Sequence, residues 1–262
     1  MVGLKANDYG TASSEVKVKL LTPPRLVMNL FKHTIPLLVR PRHEWLGIAT
    51  ETTTPRMLYL GYIIPLSGIG PIATKIRLIE EIQNNPDIEP QLVEFLYWGA
   101  TWPGLISNYV CELIEISLLA FLLNLAAPLF SGERNQIQAL KVMAFSLTSM
   151  WLGEIFLAIP MFSLDRSMTI LSGIYTVYLL YLGIAVLMKV TYPRTLVYTA
   201  LVVTAFWGVS KVRRAAVPAI MDFFRQWPVL DQGTKTMVLI PVFLSLVGFV
   251  VFLAYRGRQK VM

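Results

Sequence analysis

The sequence has little of what enzymes and metal proteins use for chemistry. Its 262 residues include one cysteine, Cys111, and two histidines, His33 and His43. A lone cysteine cannot form an internal disulfide, and neither histidine has a second ligand at a spacing typical of zinc, haem or di-iron sites. No nucleophile–base pair or glycine-rich phosphate loop stands out either. We therefore predict no enzyme activity and no catalytic, cofactor-binding or metal-binding residues.

Charged residues are also scarce. They make up 15% of the chain, against about 25% in soluble domains, while hydrophobic residues make up 55%. The formal net charge of +7 raises the question of nucleic-acid binding. However, the basic residues flank apolar segments, as expected of anchors that face anionic lipid headgroups. We expect membrane lipids as partners and no nucleic acid.

Long apolar runs are what the chain does have. Six stretches approach the about 20 residues that a membrane-spanning helix needs. They are residues 57–75, 104–128, 142–163, 168–188, 195–210 and 237–255. The sequence therefore predicts an all-α fold, a polytopic transmembrane helical bundle. The fifth stretch is the shortest, and if it does not span, the C-terminus moves to the other side of the membrane.

The segments around these runs indicate contact with the membrane surface. Residues 1–23 mix charged and polar residues without a continuous apolar core, which indicates a soluble tail and not a signal peptide. Residues 24–56 begin with an amphipathic pattern that fits either a helix in the membrane interface or one packed on the protein's own cytoplasmic side. Residues 211–235 read as an amphipathic loop preceding the sixth span. The candidate interfacial anchors are Trp45, Phe223, Phe224 and Trp227.

The distribution of Lys and Arg predicts the orientation. With six spans and the N-terminus inside, the inside segments hold fifteen Lys and Arg residues and the outside segments hold eight. Because cytoplasmic loops carry the excess of positive charge, this bias favours a cytoplasmic N-terminus. We expect an integral, multi-pass protein of a bacterial inner (plasma) membrane.

The first span carries a candidate kinked-helix motif made of Pro65, Gly68, Gly70 and Pro71. Proline removes a backbone donor and kinks a helix, so the freed carbonyls need partners inside the bundle. Two interpretations stay open: a broken helix that lines a site, or a kink whose small residues allow close helix contact.

The second span carries two carboxylates, Glu112 and Glu115. Each ionised residue at mid-helix costs about 2.5–3.5 kcal/mol, so the pair costs about 5–7 kcal/mol. The fourteen Leu, Ile, Val and Phe residues from Leu105 to Phe130 contribute about 4–8 kcal/mol in favour of insertion. The ionised helix is thus near break-even. The pair is expected to face the bundle interior, with at least one carboxyl protonated or paired.

Asn108 lies one turn before the pair, and Glu154 is a third acid inside a predicted span. No Lys or Arg is placed in mid-membrane by the predicted spans. Three hypotheses remain for this candidate polar site. It handles protons or cations, it consists of neutral acids that hydrogen-bond between helices, or it lies near an aqueous mouth.

Three long stretches resemble a known family. They are "HEWLGIATETTTPRMLYLGYIIPLSGIGPIA", "NLAAPLFSGERNQIQALKVMAFSLTSMW" and "IYTVYLLYLGIAVLMK". Taken in order, they make residues 26–210 similar to the Yip-domain membrane proteins, named for interaction with Ypt/Rab GTPases, and most closely to their bacterial branch. Long co-linear matches are more specific than a short motif.

The resemblance implies five transmembrane helices at residues 57–210, after a cytoplasmic N-terminal region, and no catalytic residues to carry over. Its eukaryotic members look like trafficking factors of the early secretory pathway. This sequence departs from the family in residues 211–262, which extend past the domain and supply the sixth predicted span. It also departs at Glu112 and Glu115, where the family is usually apolar.

Two functions follow as hypotheses. The first is a non-catalytic membrane scaffold, assembly or trafficking-type factor, with membrane-protein partners or further copies of itself. The alternative is a small transporter or a proton- or cation-conducting protein that uses the intramembrane glutamates.

Overall fold

Helices form every regular element in the part of the chain that the computed structural model describes, namely residues 32–84, 102–159 and 164–225. The α-helices are α1 (Thr34–Val39), α2 (Pro41–Thr50), α3 (Pro55–Leu58), α4 (Ile64–Ser67), α5 (Ile69–Asn84), α6 (Trp102–Ala126), α7 (Gln136–Ser146), α8 (Thr148–Gly153), α9 (Leu164–Leu187) and α10 (Tyr192–Arg225). A π-helical turn covers Tyr59–Ile63, and 3₁₀ turns cover Ala127–Phe130 and Glu154–Ala158. The predicted tail at 1–23, the sixth span at 237–255 and Trp227 lie outside the described residues.

Five segments of this helical chain are long and apolar enough to cross a membrane. Spans 1 to 5 are Pro55–Glu80, Gly104–Phe130, Gln136–Ala158, Ser167–Leu187 and Tyr192–Ala215. The prediction of an all-α fold is confirmed, and the described residues contain five of the six predicted spans as candidate membrane spans. Span 3 is the most enclosed, with 67% of its most apolar window buried, compared with 28% in span 5. The bundle is therefore built around span 3.

The end of span 5 differs from the prediction. The fifth stretch was expected to stop at residue 210 and lead into a loop, but α10 continues as one helix to Arg225. The basic residues from Lys211 onward lower the hydropathy without lowering helix propensity, because Lys and Arg are good helix formers. Phe223 and Phe224 therefore lie in a helix, and their predicted role as interfacial anchors stays a prediction.

Proline interrupts span 1 as the sequence predicts. Pro65 has no N–H to donate to the carbonyl four residues earlier, and the π-helical turn directly precedes it. A turn at Gly68 then separates α4 from α5. Nearby carbonyls find side-chain donors: Tyr109 donates to the Ile64 oxygen at 2.7 Å, and Ser67 donates to the Ile63 oxygen at 2.6 Å.

Aromatic rings fill the centre of the bundle. The rings of Trp45 and Tyr62 lie with their centroids 6.3 and 4.5 Å from that of Phe145. Trp45 is completely buried, so its predicted place as a headgroup-level anchor is wrong. Its ring needs the bare backbone of Gly183, where a Cβ atom would lie 2.8 Å from the indole carbons. Because Trp45 and Gly183 are far apart in sequence, the hydropathy around Trp45 does not indicate this contact.

Residues 32–54, which we call the N-terminal platform, are fastened to one end of the bundle. Lys141 in span 3 is 2% exposed, and its ammonium donates to the Ile48 and Glu51 carbonyls at 2.8 and 2.6 Å. Tyr175 in span 4 donates to the Leu38 carbonyl at 2.7 Å. Span 3 was expected to begin at residue 142, with Lys141 in a loop; it begins at Gln136, and Lys141 is inside it.

The outer side of the platform exposes large apolar side chains beside polar ones such as Arg40, Arg42 and His43. Ile35, Val39 and Leu46 are 72%, 70% and 59% exposed, although Leu37, Trp45 and Ile48 beside them are buried. Such a surface is typical of helices that meet either lipid or a partner.

Candidate functional site

The candidate polar site lies at the end of the bundle opposite the platform. Because successive spans alternate in direction, the beginning of span 2 meets the ends of spans 3 and 5 and the second half of span 1. Glu112 is eight residues beyond the start of span 2, which is about 12 Å along a helix. Glu154 is four residues before the end of span 3. From the span bounds we therefore expect the acids to lie inside one leaflet, below the headgroups.

Glu115 is neutralised by a basic residue of another span. It is a buried side chain, 4% exposed, and its Oε2 accepts from Arg213 Nε at 2.7 Å. Ser210 donates to its other oxygen, and Arg213 Nη1 donates to Asn108 Oδ1 at 3.0 Å. The predicted spans placed no Lys or Arg in mid-membrane, but helix α10 runs past residue 210 and carries Arg213 back to Glu115 in span 2.

Glu112 and Glu154 have fewer partners. Glu112 accepts one bond, from the indole N–H of Trp151 at 2.8 Å. The Oε2 atom of Glu154 is buried and has no hydrogen-bond partner among the described residues. Its carboxyl lies against Gly70, where a Cβ atom would come within 2.8 Å of the carboxyl carbon. Gly70 therefore makes room for this acid.

The two acids line one pocket, which we call the acidic pocket. It is a partly open cavity of about 370 Å³ between spans 1, 2, 3 and 5. Residues from both predicted sets line it: Gly70, Pro71, Asn108, Glu112 and Glu154, together with Arg213. The structure thus joins the kinked-helix motif to the polar site. Pro65, Gly68 and Glu115 are not among its lining residues, although Glu115 is paired with Arg213, which does line the pocket.

The chemistry of this pocket is that of hydrogen-bond acceptors. Within the described ranges, no group of three or more His, Cys, Asp and Glu residues could hold a metal ion. His33, the buried histidine, lies at the platform and is hydrogen-bonded to Glu44 and, at 2.9 Å, to Glu51. The partly open pocket presents two carboxyl groups, and these suit a proton or a positively charged group.

Sequence reasoning missed Arg213, Ser210, Trp151 and Lys141. Lys141 had a readable signal, since it stands alone inside an apolar run that begins at Ile137. An isolated lysine in such a run marks a buried polar contact. The other three depend on where α10 ends and on how spans 2 and 3 face each other, which one sequence does not reveal.

Comparison with known proteins gives one match. A family model described as the Yip1 domain matches residues 35–210, well over half of the chain. The matched residues include all three acids and Lys141, and they end three residues before Arg213. Neither a curated protein nor a solved structure matches the chain.

Proposed function

The chain belongs to the Yip1 domain family of multi-pass membrane proteins, and we propose that it is a non-catalytic scaffold, assembly or trafficking-type factor for protein partners. The family membership supports a role without a reaction. The pocket contacts support it too, because Glu115, Arg213 and Trp151 are engaged with other side chains of the chain itself.

One observation carries this proposal: the platform is hydrogen-bonded to the bundle and exposes large apolar side chains. Lys141, through a buried hydrogen bond, and Tyr175, through a partly buried one, hold its backbone against spans 3 and 4. Ile35, Val39 and Leu46 then form an exposed apolar surface on a preformed element. A fixed surface loses little conformational freedom on binding, which favours recognition of a protein partner.

We further propose that the protein belongs to the bacterial branch of the family and sits in the inner membrane with the platform in the cytoplasm. The support is the eight Lys and Arg residues within residues 1–56. In this orientation the platform meets cytoplasmic or membrane-embedded partners, and the acidic pocket lies in the outer leaflet.

Truncation of the platform surface tests the scaffold role. We expect the triple variant Ile35→Ala, Val39→Ala, Leu46→Ala to lose co-purifying chains at least about tenfold in mild detergent, since three truncations at about 0.5–1 kcal/mol each exceed 1.4 kcal/mol. The matched control is Ile170→Ala, Leu171→Ala, Ile174→Ala in span 4, whose side chains are 58%, 59% and 64% exposed.

The measurement is the amount of each co-purifying chain per protein recovered from membranes. Loss with the platform variant and retention with the span 4 variant supports the proposal. Unchanged co-purification with the platform variant contradicts it and makes the surface a lipid contact.

A second candidate, transport of a proton or cation, is favoured by one observation. Glu112 and Glu154 line the same partly open pocket within a leaflet, and intramembrane acids of this kind mark ion pathways in transporters. Flux through liposomes that disappears in Glu112→Gln and Glu154→Gln while assembly persists would favour this candidate over the scaffold.

A further inference from the structure

The acidic pocket contains more negative charge than its own basic residue can neutralise. Arg213 is the one Lys or Arg among the described residues that line it, and it is committed to Glu115 and Asn108. That leaves Glu112 with a single donor and Glu154 with a buried oxygen that has none. In a weakly polar environment, unmatched carboxylates need a positive partner or a proton.

The size of the cavity limits what that partner is. About 370 Å³ is more than ten times the roughly 30 Å³ that one water occupies in the liquid, and it lies within the range of small-molecule sites, about 300–1,000 Å³. A bare metal ion needs a close shell of oxygen ligands, about six to eight for Ca²⁺. Two carboxylates on the wall of a wide cavity do not form such a shell.

The lining of the cavity limits the partner further. Beside the acids stand the apolar side chains of Pro71, Leu78 and Leu105. A cavity that combines two acids with apolar side chains, beside the polar Thr74 and Tyr109, fits an organic cation with a short carbon chain better than a hydrated ion. Carboxylates bind the N–H groups of such a cation through charge-assisted hydrogen bonds.

We propose that the acidic pocket binds a primary alkylammonium group, held by the carboxylates of Glu112 and Glu154. The group comes either from the headgroup of an aminophospholipid or from a free amine of similar size. Because the acids are expected below the headgroups, the ammonium from either source has to enter the leaflet through the open side of the pocket to reach them. This site goes beyond the scaffold role and needs no transport, although it uses the pocket of the second candidate.

The test uses the full-length protein in nanodiscs of phosphatidylcholine, with two probes added separately. One probe is ethanolamine in solution, and the other is phosphatidylethanolamine in the bilayer. Native mass spectrometry measures bound ligand, and thermal unfolding measures the ligand-dependent rise in Tm. Ethylene glycol, which has no charge, is the control for ethanolamine.

We expect wild-type protein to bind an ammonium probe and Glu112→Gln or Glu154→Gln to bind it roughly tenfold to a hundredfold more weakly, as loss of a charge-assisted hydrogen bond implies. Glutamine keeps the shape of the side chain and removes a buried charge, so both variants should fold. The matched control is Glu133→Gln, an exposed acid at the platform end, which should bind as wild type.

The possible outcomes distinguish the lipid from the free amine as the source of the ammonium group, and the ammonium site from the scaffold role. Retention of phosphatidylethanolamine alone identifies the lipid, and binding of ethanolamine identifies the free amine. Absence of both, or equal binding by Glu154→Gln, overturns the site and leaves the acids as protonated structural groups. The platform variant Ile35→Ala, Val39→Ala, Leu46→Ala should keep full ammonium binding, so failure of the scaffold role and failure of this site are distinguishable.

Discussion

Replacing Arg213 by methionine is expected to destabilise the protein by about 3 kcal/mol. Methionine leaves the buried Glu115 carboxylate without its cation, and breaking a buried ion pair from one side costs about 3–5 kcal/mol. The lower end applies because the Arg213 side chain is 26% exposed and retains some contact with water. Reversible unfolding in detergent, compared with wild type, gives the change in the free energy of unfolding.

Two controls accompany this variant. Combining Arg213→Met with Glu115→Gln removes the charge on both sides and should recover most of the loss. Lys189→Met breaks an ion pair of similar length, 2.8 Å to Glu133, whose side chains are both about two-thirds exposed. Exposed pairs contribute about 0–1 kcal/mol, so its effect should be small. Equal effects of Arg213→Met and Lys189→Met would contradict the assigned role of Arg213.

Replacing Lys141 by methionine is expected to lower the free energy of unfolding by about 3–6 kcal/mol and to loosen the N-terminal platform. The Ile48 and Glu51 carbonyls lose a shared, charged donor, and hydrogen bonds to charged groups contribute about 1.5–3 kcal/mol each. Methionine has nearly the same length, so the loss is one of hydrogen bonding and not of volume. Limited trypsin digestion after Arg42 or Arg56 should accelerate, since these bonds lie in or beside the platform.

The matched control for this variant is Lys32→Met. The ammonium of Lys32 is 53% exposed and lies 3.4 Å from the Glu51 carboxylate, so its loss should change stability by less than about 1 kcal/mol. If trypsin cuts the Lys141→Met protein no faster than the Lys32→Met protein, the platform is held by something other than Lys141.

Much of the fold could be predicted from the sequence because hydropathy over about 20 residues is a strong signal. The five spans and the break near Pro65 follow from the composition of single segments. The wrong predictions concern residues whose environment is set by another segment of the chain. Trp45 looked like an interfacial anchor, since nothing in its neighbourhood reveals that Gly183 leaves room for an indole.

The candidate site shows the same division. The sequence predicted that Glu112 and Glu115 face the bundle interior, because lipid is a poor solvent for carboxylates. It did not predict that Arg213 neutralises Glu115, because basic residues after position 210 read as the start of a loop. Whether Glu115 is expected to be isolated or paired therefore depends on where helix α10 ends.

The account rests on five spans that place the N-terminal platform and the acidic pocket on opposite sides of the membrane. Single cysteines introduced as Gly47→Cys or Arg214→Cys, in a Cys111→Ala background, test this with a membrane-impermeant maleimide. Both positions are exposed, and a side chain at Gly47 meets no atom within 4 Å. The account predicts that the two positions are labelled from opposite sides, with Gly47→Cys labelled from the cytoplasmic side. Labelling of both positions from the same side would contradict it.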